Sequence, residues 1–351
     1  MCTSGCAYMA AKSVMTTDTS GSFFTALPDD LLQRVLVGVP LDDHCVAASL
    51  CQAFRGVITG PRFPALRQRY GFAERAVVTV RVAGDGVLDI VTAHNGCILA
   101  SIPGHGIYSR RGTTDGGTRL FLVCKNDPGP SALLAVDVSS RRWKRLPNMP
   151  QQHSGCIEWH RGLLYVAGGW SMTSGMEDLN LFHAFNETTG SWEELPRMPH
   201  SCTWAASGVI GNQLFIAGGD DSTEQGSPTL QIYDIASRTW RMGASLPDSR
   251  ASYSMGYVVD GKLCVMNVHD HYGTPAPVLV YDPQADTWTE QALPPSLAAR
   301  LACIHDGRLV VFQENGTVVA RATDGSWFPY THVEPQRRWN YKSVSGSVLL
   351  G

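Results

Sequence analysis

Residues 230–240 read LQIYDIASRTW, and residues 278–288 read VLVYDPQADTW. Each stretch places an Asp six residues before a Trp, and the two Trp are 48 positions apart. The complete set of pairs is Asp137 and Trp143, Asn186 and Trp192, Asp234 and Trp240, and Asp282 and Trp288. A degraded copy of the stretch ends at Trp327. A fixed period of this length indicates one structural unit that recurs along the chain.

Each period contains short apolar runs between turn residues. LLYVAGG at 163–169 and LFIAGG at 214–219 are examples, and such runs bounded by Gly, Asn, Asp and Pro predict strands. A period holds four of them and leaves no room for a helix. We expect the Asp or Asn at a strand end to bind backbone amides two residues on and so fix a hairpin. The Trp then offers an apolar surface to the neighbouring unit.

This repeat resembles the kelch motif, in which a Gly-Gly pair ends the second strand and the Tyr-Asp and Trp lie on the third and fourth. The resemblance implies an all-β propeller over residues 76–351. Five Trp mark five blades, and the strands of 77–107 can pair with the C-terminal segment to close the ring. Six blades are therefore favoured, and five or seven stay open.

The segment before the repeats has a helical pattern. Within 27–60, Leu27, Leu31, Val35 and neighbouring apolar residues recur at intervals of three and four, which predicts an amphipathic helix that ends before Pro40. Two more short helices follow. Three helices in about 35 residues bury little surface alone, so we expect this module to complete its core on a partner. The alternative is a helical cap packed on the propeller.

Residues 26–60 resemble an F-box, through the opening Leu27-Pro28-Asp29-Asp30, the Val39-Pro40-Leu41 hinge and the closing Phe54-Arg55. Together with the kelch repeats, they are similar to the plant F-box/kelch-repeat family. The resemblance implies binding to a Skp adaptor and, through it, to a cullin. The implied adaptor contacts are Leu27, Pro28, Leu31, Val35, Leu36, Val39, Pro40, Val46, Leu50 and Phe54.

The sequence also predicts the nature of the segments before and after the helical module. Residues 1–25 lack an apolar core pattern and are interpreted as a disordered tail. Residues 61–75 are interpreted as a linker helix that ends at Gly71 and has a solvated basic face. The basic residues of this face are Arg62, Arg67, Arg69 and Arg75.

Composition narrows the class of partner. With 28 Lys and Arg against 31 Asp and Glu, the net charge is −3, which argues against nucleic acid as the main ligand. No apolar run is long enough for a membrane span, and the ten Cys contain no Cys-x-x-Cys pair and are expected to be reduced. These features indicate a protein of the cytoplasm and/or nucleus that needs no cofactor or metal.

The combined resemblance implies a non-catalytic substrate receptor of a Skp-cullin-F-box ubiquitin ligase, whose propeller loops capture a protein for degradation. Within the plant family, targets include phenylpropanoid-pathway enzymes and hormone-response regulators. The loops after the Gly-Gly position differ most between repeats and supply the candidate contacts. These are Trp170, Met172, Asp220, Asp221, His269, His271 and Tyr272, and Arg250 in the SLPDSRAS connection joins them; all are interpreted as exposed loop residues.

Two other functions stay open on the sequence. The propeller can serve as an interaction protein outside any ligase, in which case the helical module folds without binding an adaptor. Some kelch-type propellers are copper oxidases, and His269-Asp270-His271-Tyr272 has suitable ligand types. A metal site needs three or four converging ligands, and this loop alone does not provide them.

Overall fold

The computed structural model describes residues 28–40, 43–60, 62–82, 87–92, 98–103, 108–125, 132–151, 155–170, 180–220, 226–247, 254–267, 277–291, 299–313, 318–322, 324–330 and 345–350. The predicted disordered tail lies outside these ranges. No helix in them has the length and apolar character needed to cross a membrane.

The N-terminal part of the described chain is helical. Its helices are α1 Asp29–Val37, α2 His44–Leu50, α3 Gln52–Ile58 and α4 Phe63–Arg69. Pro28 precedes α1, and Gly71 follows α4 with a φ of +75°, a conformation that glycine adopts without steric cost.

These helices share one core. It is formed by Leu32, Leu36, Val37, Val39, Ala47, Phe54, Ile58 and Phe63. Phe63 belongs to α4 and is almost fully buried, and Phe72 packs against the same cluster. Helix α4 therefore packs into the module and completes a core that three helices were not expected to complete alone.

All the remaining elements are strands. They are β1 Glu74–Val82, β2 Leu88–Thr92, β3 Ile98–Ile102, β4 Tyr108–Thr114, β5 Arg119–Lys125, β6 Ala132–Asp137, β7 Arg142–Arg145, β8 Cys156–His160, β9 Leu163–Ala167, β10 Phe182–Asn186, β11 Ser191–Glu194, β12 Ala206–Ile210, β13 Gln213–Ala217, β14 Leu230–Asp234, β15 Thr239–Met242, β16 Ser254–Val259, β17 Lys262–Asn267, β18 Val278–Asp282, β19 Thr287–Gln291, β20 Ala299–His305, β21 Arg308–Gln313, β22 Val318–Arg321, β23 Trp327–Pro329 and β24 Ser345–Leu350.

The strands of the described ranges form six antiparallel sheets of four strands each. Blade 1 has the order β24-β1-β2-β3, and blades 2 to 6 each contain four consecutive strands, from β4–β7 to β20–β23. In blade 1, Glu74 pairs with Leu350 and Thr79 with Ser345. The favoured count of six blades, with one blade built from both chain ends, is confirmed.

The first strand of each blade lies innermost, and these strands form a closed ring. β24, β4, β8, β12, β16 and β20 each contact the next, and β20 returns to β24. Close approach within the ring requires small residues. A Cβ added at Gly256 of β16 would lie only 2.1 Å from the Ser207 carbonyl oxygen of β12. The strands supply the blade cores, which leaves loops and edges for binding.

The turns between third and fourth strands have the predicted Asp-based geometry. Asp234 Oδ1 accepts the amides of Ala236 and Ser237 at 3.1 and 2.8 Å. Equivalent bonds occur at Asp137, Asn186 and Asp282. The residue two positions before each Trp takes a left-handed conformation, as at Arg238 with a φ of +58°. The Asp or Asn thus stabilises a hairpin that brings the Trp to a fixed place.

The Trp residues join neighbouring blades. Trp240 Nε1 of blade 4 donates to the Pro196 carbonyl of blade 3 at 2.8 Å, and its ring lies 5.1 Å from that of Phe182, also in blade 3. Trp192 donates to Pro147, and Trp288 to Ala244, in the same way. The prediction of an inter-blade Trp is confirmed at these junctions. The Leu-Pro that follows a Trp supplies the acceptor for the next blade at two of them.

Candidate protein-interaction surfaces

An apolar surface on α1 remains exposed beside the helical core. Leu31 and Val35 are each 44% exposed and lie one turn apart, so their side chains occupy the same side of the helix. Pro28, one turn earlier, is also exposed. Leu32 and Leu36 face the core instead. Pro28, Leu31 and Val35 form what we call the α1 apolar surface, and Leu50 at the end of α2 is 54% exposed.

The other implied adaptor contacts have different positions. Leu36, Val39 and Phe54 are buried in the module's own core, so their side chains support the surface from within. Pro40 is half-buried. Leu27 and the side chain of Val46 lie outside the description. For Leu36 the burial follows from helix periodicity, because it lies on the side of α1 that also carries the buried Leu32.

Arg67 of α4 is the main departure from the predicted basic face. Its side chain has no solvent exposure, whereas Arg62 and Arg69 are exposed as predicted. Nη1 donates to the carbonyls of Val37, at 3.1 Å, and of Val39, and Nη2 donates to the Phe72 carbonyl at 2.5 Å. The interpretation of Arg67 as solvated is wrong, because these carbonyls, two at the end of α1 and one after α4, replace the water that a charged group needs.

His44 of α2 completes the contacts of this guanidinium. Arg67 Nη1 and the Val39 carbonyl oxygen lie 2.9 and 3.0 Å from His44 Nε2. Because arginine can only donate and a carbonyl can only accept, Nε2 of the neutral imidazole accepts from Arg67 in one tautomer and donates to Val39 in the other. Burial first, and then the charge of Arg67, lowers the pKa of His44 from 6.5 to about 4. The ring also packs edge-on against Phe63 at 5.4 Å. These contacts hold the end of α1, and therefore its apolar surface, against α2 and α4.

The topology separates the two ends of the ring. In each blade, the first-to-second and third-to-fourth turns lie at one end, and the second-to-third loops lie at the other. β1 is the second strand of blade 1 and begins at Glu74, directly after the helical module. The module therefore joins the ring at the end with the short turns.

The candidate loop contacts lie at the opposite end. Trp170 and Asp220 directly follow the two Gly-Gly pairs and are described; Trp170 is half-buried. Asp220 was predicted to be exposed, and this is wrong. Only 9% of it is accessible, because its backbone pairs with Thr203 through bonds of 2.8 and 2.9 Å. The other candidates lie outside the described residues: Met172, Asp221, Arg250, His269, His271 and Tyr272.

Trp204 was not among the predicted site residues. It lies between blades 3 and 4, next to Thr203, and is half-buried with a left-handed φ of +55°, which is rare for a bulky residue. Its carbonyl accepts the Ser254 amide of blade 5 at 2.9 Å. Sequence reasoning missed it, since Trp204 stands outside the repeated Trp spacing. The described residues also contain no cluster of three or more side chains suited to a metal ion.

Comparison with protein families agrees with both parts of this architecture. Residues 24–66 match the F-box domain, and residues 160–199 and 205–247 match the kelch motif. The chain therefore combines an F-box with kelch repeats. The F-box match extends into α4, whose Phe63 and Leu66 belong to or pack on the shared core. The kelch matches cover most of blades 3 and 4, where the Gly-Gly and Trp residues are most regular.

Relatives with the same architecture occur among plant proteins. An F-box/kelch-repeat protein of Arabidopsis thaliana is 22% identical over 76% of this chain and 58% of its own length. A second one is 28% identical over 45% of this chain and 39% of its own length. A Kelch-like protein of Aspergillus terreus is 25% identical over 42% and 37%. The chain thus spans less than two thirds of the length of each of these relatives.

Proposed function

We propose that this F-box/kelch-repeat protein is the substrate receptor of a Skp-cullin-F-box ubiquitin ligase. The observation that carries the proposal is an F-box whose α1 apolar surface is exposed although the module has a complete core of its own. Apolar side chains exposed next to a filled core are suited to a partner helix or groove, and exposed apolar patches commonly mark interfaces. The Skp adaptor is the partner proposed for this surface, with the cullin bound through it.

The propeller supplies the second binding surface. Its second-to-third loops lie at the end of the ring away from the F-box, so an adaptor and a target can bind at the same time. The receptor then increases the effective concentration of the target near the ubiquitin-conjugating enzyme and performs no bond chemistry itself. Trp170 and Asp220 are the described candidates at this end, and Asp220 is nearly buried; the six candidates outside the described residues remain predictions.

The target is proposed only by class. The resemblance to the plant family suggests a phenylpropanoid-pathway enzyme or a hormone-response regulator, which ubiquitination would commit to proteasomal degradation. Both classes agree with the proposed location in the cytoplasm and/or nucleus.

The adaptor proposal is tested with the Leu31→Glu/Val35→Glu double variant of the full chain. Two new carboxylates on the α1 apolar surface should weaken binding to purified Skp adaptor by at least about a hundredfold, because each would lose solvent in the interface. Affinity is measured by surface plasmon resonance. The matched control is Ile98→Glu/Met242→Glu, which changes two propeller residues of similar exposure, 44% and 43%. This control should bind like the wild type.

Two results would contradict the proposal. If the wild type and both double variants bind adaptor equally, the α1 apolar surface is not the contact. If a folded wild type binds no adaptor, the propeller acts outside a ligase. Circular dichroism of each variant shows whether the helices and the propeller remain folded.

A further inference from the structure

The junction between blades 1 and 2 lacks the contact that joins the later blades. At three other junctions, the Trp of one blade donates to a backbone carbonyl of the blade before it. Trp143, the equivalent residue of blade 2, is 39% exposed, and its indole makes no hydrogen bond within the described part of the chain. An apolar ring that is held between blades elsewhere is therefore open to solvent here.

The charges around Trp143 are also left without the partners that the repeat provides elsewhere. At the junction of blades 3 and 4, Arg238 lies two residues before its Trp and makes two bonds with Glu193, at 2.6 and 2.9 Å. Arg141 has the equivalent position in blade 2. Strand β3, where its partner would lie, has the sequence ILASI and contains no carboxylate.

The same comparison applies on the other side of blade 2. Lys144 stands where blade 3 has Glu193, directly after the Trp. The equivalent turn position in the next blade is Gly190, which has no side chain to pair with it. Asp137 lies across the strand from Arg142, but its carboxylate accepts the amides of Ser139 and Ser140. Within the described residues, no ion pair neutralises these cations.

The result is a basic edge with an exposed aromatic residue at its centre. All five residues from Arg141 to Arg145, with the sequence RRWKR, are exposed. Strand β7 pairs only with β6 among the described strands, so its outer side presents unpaired backbone N–H and C=O groups. Alternation places Arg142 and Lys144 on one side of the strand and Trp143 with Arg145 on the other. We call Arg141 to Arg145 the β7 edge.

We propose that the β7 edge binds an extended, acidic peptide segment of a protein partner, which adds a strand to blade 2. Charge complementarity selects this partner: four cations in five residues stand out on a chain whose net charge is −3. The backbone of the segment pairs with the open side of β7, its carboxylates bind the guanidinium groups, and an apolar side chain packs on Trp143.

Two other functions of a basic edge strand account for fewer of the features of the β7 edge. Charges on an edge strand discourage aggregation, but an exposed Trp works against that purpose. Single-stranded nucleic acid binds through several aromatic side chains that stack successive bases, and the β7 edge offers one. A peptide needs one apolar contact, a row of cations and an open strand, and the edge has all three.

The test uses the full chain and a fluorescein-labelled peptide, EDEVFVEDE, in a fluorescence anisotropy titration at low salt. We expect a Kd of about 10–100 µM, in the range of weak peptide recognition. Arg142→Glu/Lys144→Glu should weaken binding by more than about tenfold, and Trp143→Ala by more than about threefold. Both changes concern exposed side chains, so folding should be retained.

Matched controls separate this site from general electrostatics and from the F-box. Arg69→Glu/Arg197→Glu makes the same change in net charge at exposed cations elsewhere and should leave peptide binding unchanged. Leu31→Glu/Val35→Glu should also bind the peptide normally, which makes this result independent of the adaptor proposal. Equal losses in the two charge-reversal variants, or tighter binding of a ten-nucleotide uridine RNA that depends on the same residues, would overturn the proposal.

Discussion

At the residue scale, Arg67 shows how a charged side chain can hold a small helical module together. Taking a guanidinium out of water is costly unless its donors are matched, and here backbone carbonyls accept from Nη1 and Nη2, with the His44 imidazole beside Nη1. The carbonyls of Val37 and Val39 lie at the end of α1, where no further helical turn supplies N–H donors for them. Arg67 therefore satisfies groups that the end of α1 would otherwise leave buried.

Replacing Arg67 by Met should destabilise the F-box by about 3–5 kcal/mol, because it leaves several buried acceptors without donors. The measurement is urea unfolding of the full chain followed by far-ultraviolet circular dichroism, which reports the helices. Arg69→Met removes a neighbouring, exposed cation and should change stability by less than about 0.5 kcal/mol. Equal stability of the two variants would show that Arg67 contributes nothing through its buried contacts.

The stability of the F-box should fall as the pH decreases from 6.5 toward 4. The folded module holds the pKa of His44 near 4, below its ordinary 6.5, so protons bind preferentially to the unfolded state. The contribution is complete above pH 6.5 and amounts to about 3 kcal/mol, since each pKa unit corresponds to about 1.4 kcal/mol. His44→Asn keeps an acceptor for Arg67 but does not titrate. The free energy of unfolding should change less with pH in this variant than in the wild type. The same pH dependence in both proteins would contradict the role of His44.

At the element scale, the repeated hairpin and its Trp define each blade junction. The Asp or Asn carboxyl or amide oxygen fixes the turn, the left-handed residue reverses the chain, and the indole then reaches the preceding blade. The hydrogen bond from Trp240 to Pro196 is one example. The ion pair between Arg238 and Glu193 joins the same two blades. The repeat therefore specifies both the fold of a blade and its attachment to the next.

Two Trp residues with the same sequence spacing should respond differently to truncation. Trp240→Ala removes a half-buried indole, its hydrogen bond and its contact with Phe182, and should cost about 2–4 kcal/mol. Trp143→Ala removes an exposed ring without such a bond and should cost less than about 1 kcal/mol. Differential scanning calorimetry of the propeller transition measures both. A similar decrease in Tm for the two variants would refute the difference between the junctions.

The sequence was most informative where the physics is local and repeated. The spacing of Asp234 and Trp240 predicted the turn, the strand and the inter-blade contact, because a turn of fixed length leaves few other outcomes. The burial of Arg67 could not be predicted, since two of its acceptors, Val37 and Val39, lie 30 and 28 residues earlier in the chain and several nearby arginines resemble a solvated face. The exposure of Trp143 could not be predicted either, because it depends on the neighbouring blade and not on its own repeat.

At the scale of the whole molecule, the ring depends on strand β24, which pairs with β1 and contacts the inner strands of blades 2 and 6. Without it, the inner edge of β1 has no partner and the ring has a gap next to the entry of the F-box. The helices have a separate core, which contains no propeller residue. The closure of the ring and the folding of the F-box should therefore be separable.

Deleting residues 345–351 should abolish the cooperative unfolding transition of the propeller while adaptor binding is retained. The F-box keeps its own core, whereas blade 1 loses its innermost strand. Calorimetry follows the ring, and surface plasmon resonance follows the adaptor. An excess of the synthetic peptide SGSVLLG should restore part of the transition by replacing the missing strand. An unchanged transition in the deleted chain would show that β24 is not needed for closure.

The position of β24 also determines the order of events during synthesis. A ribosome releases the F-box before the closing strand, so the helices can mature while blade 1 still lacks its innermost strand. Throughout that interval the backbone of β1 presents an unpaired strand edge that another nascent chain could capture. Rapid synthesis of the segment up to β24, or a chaperone that covers β1 until β24 emerges, would protect the chain during this period.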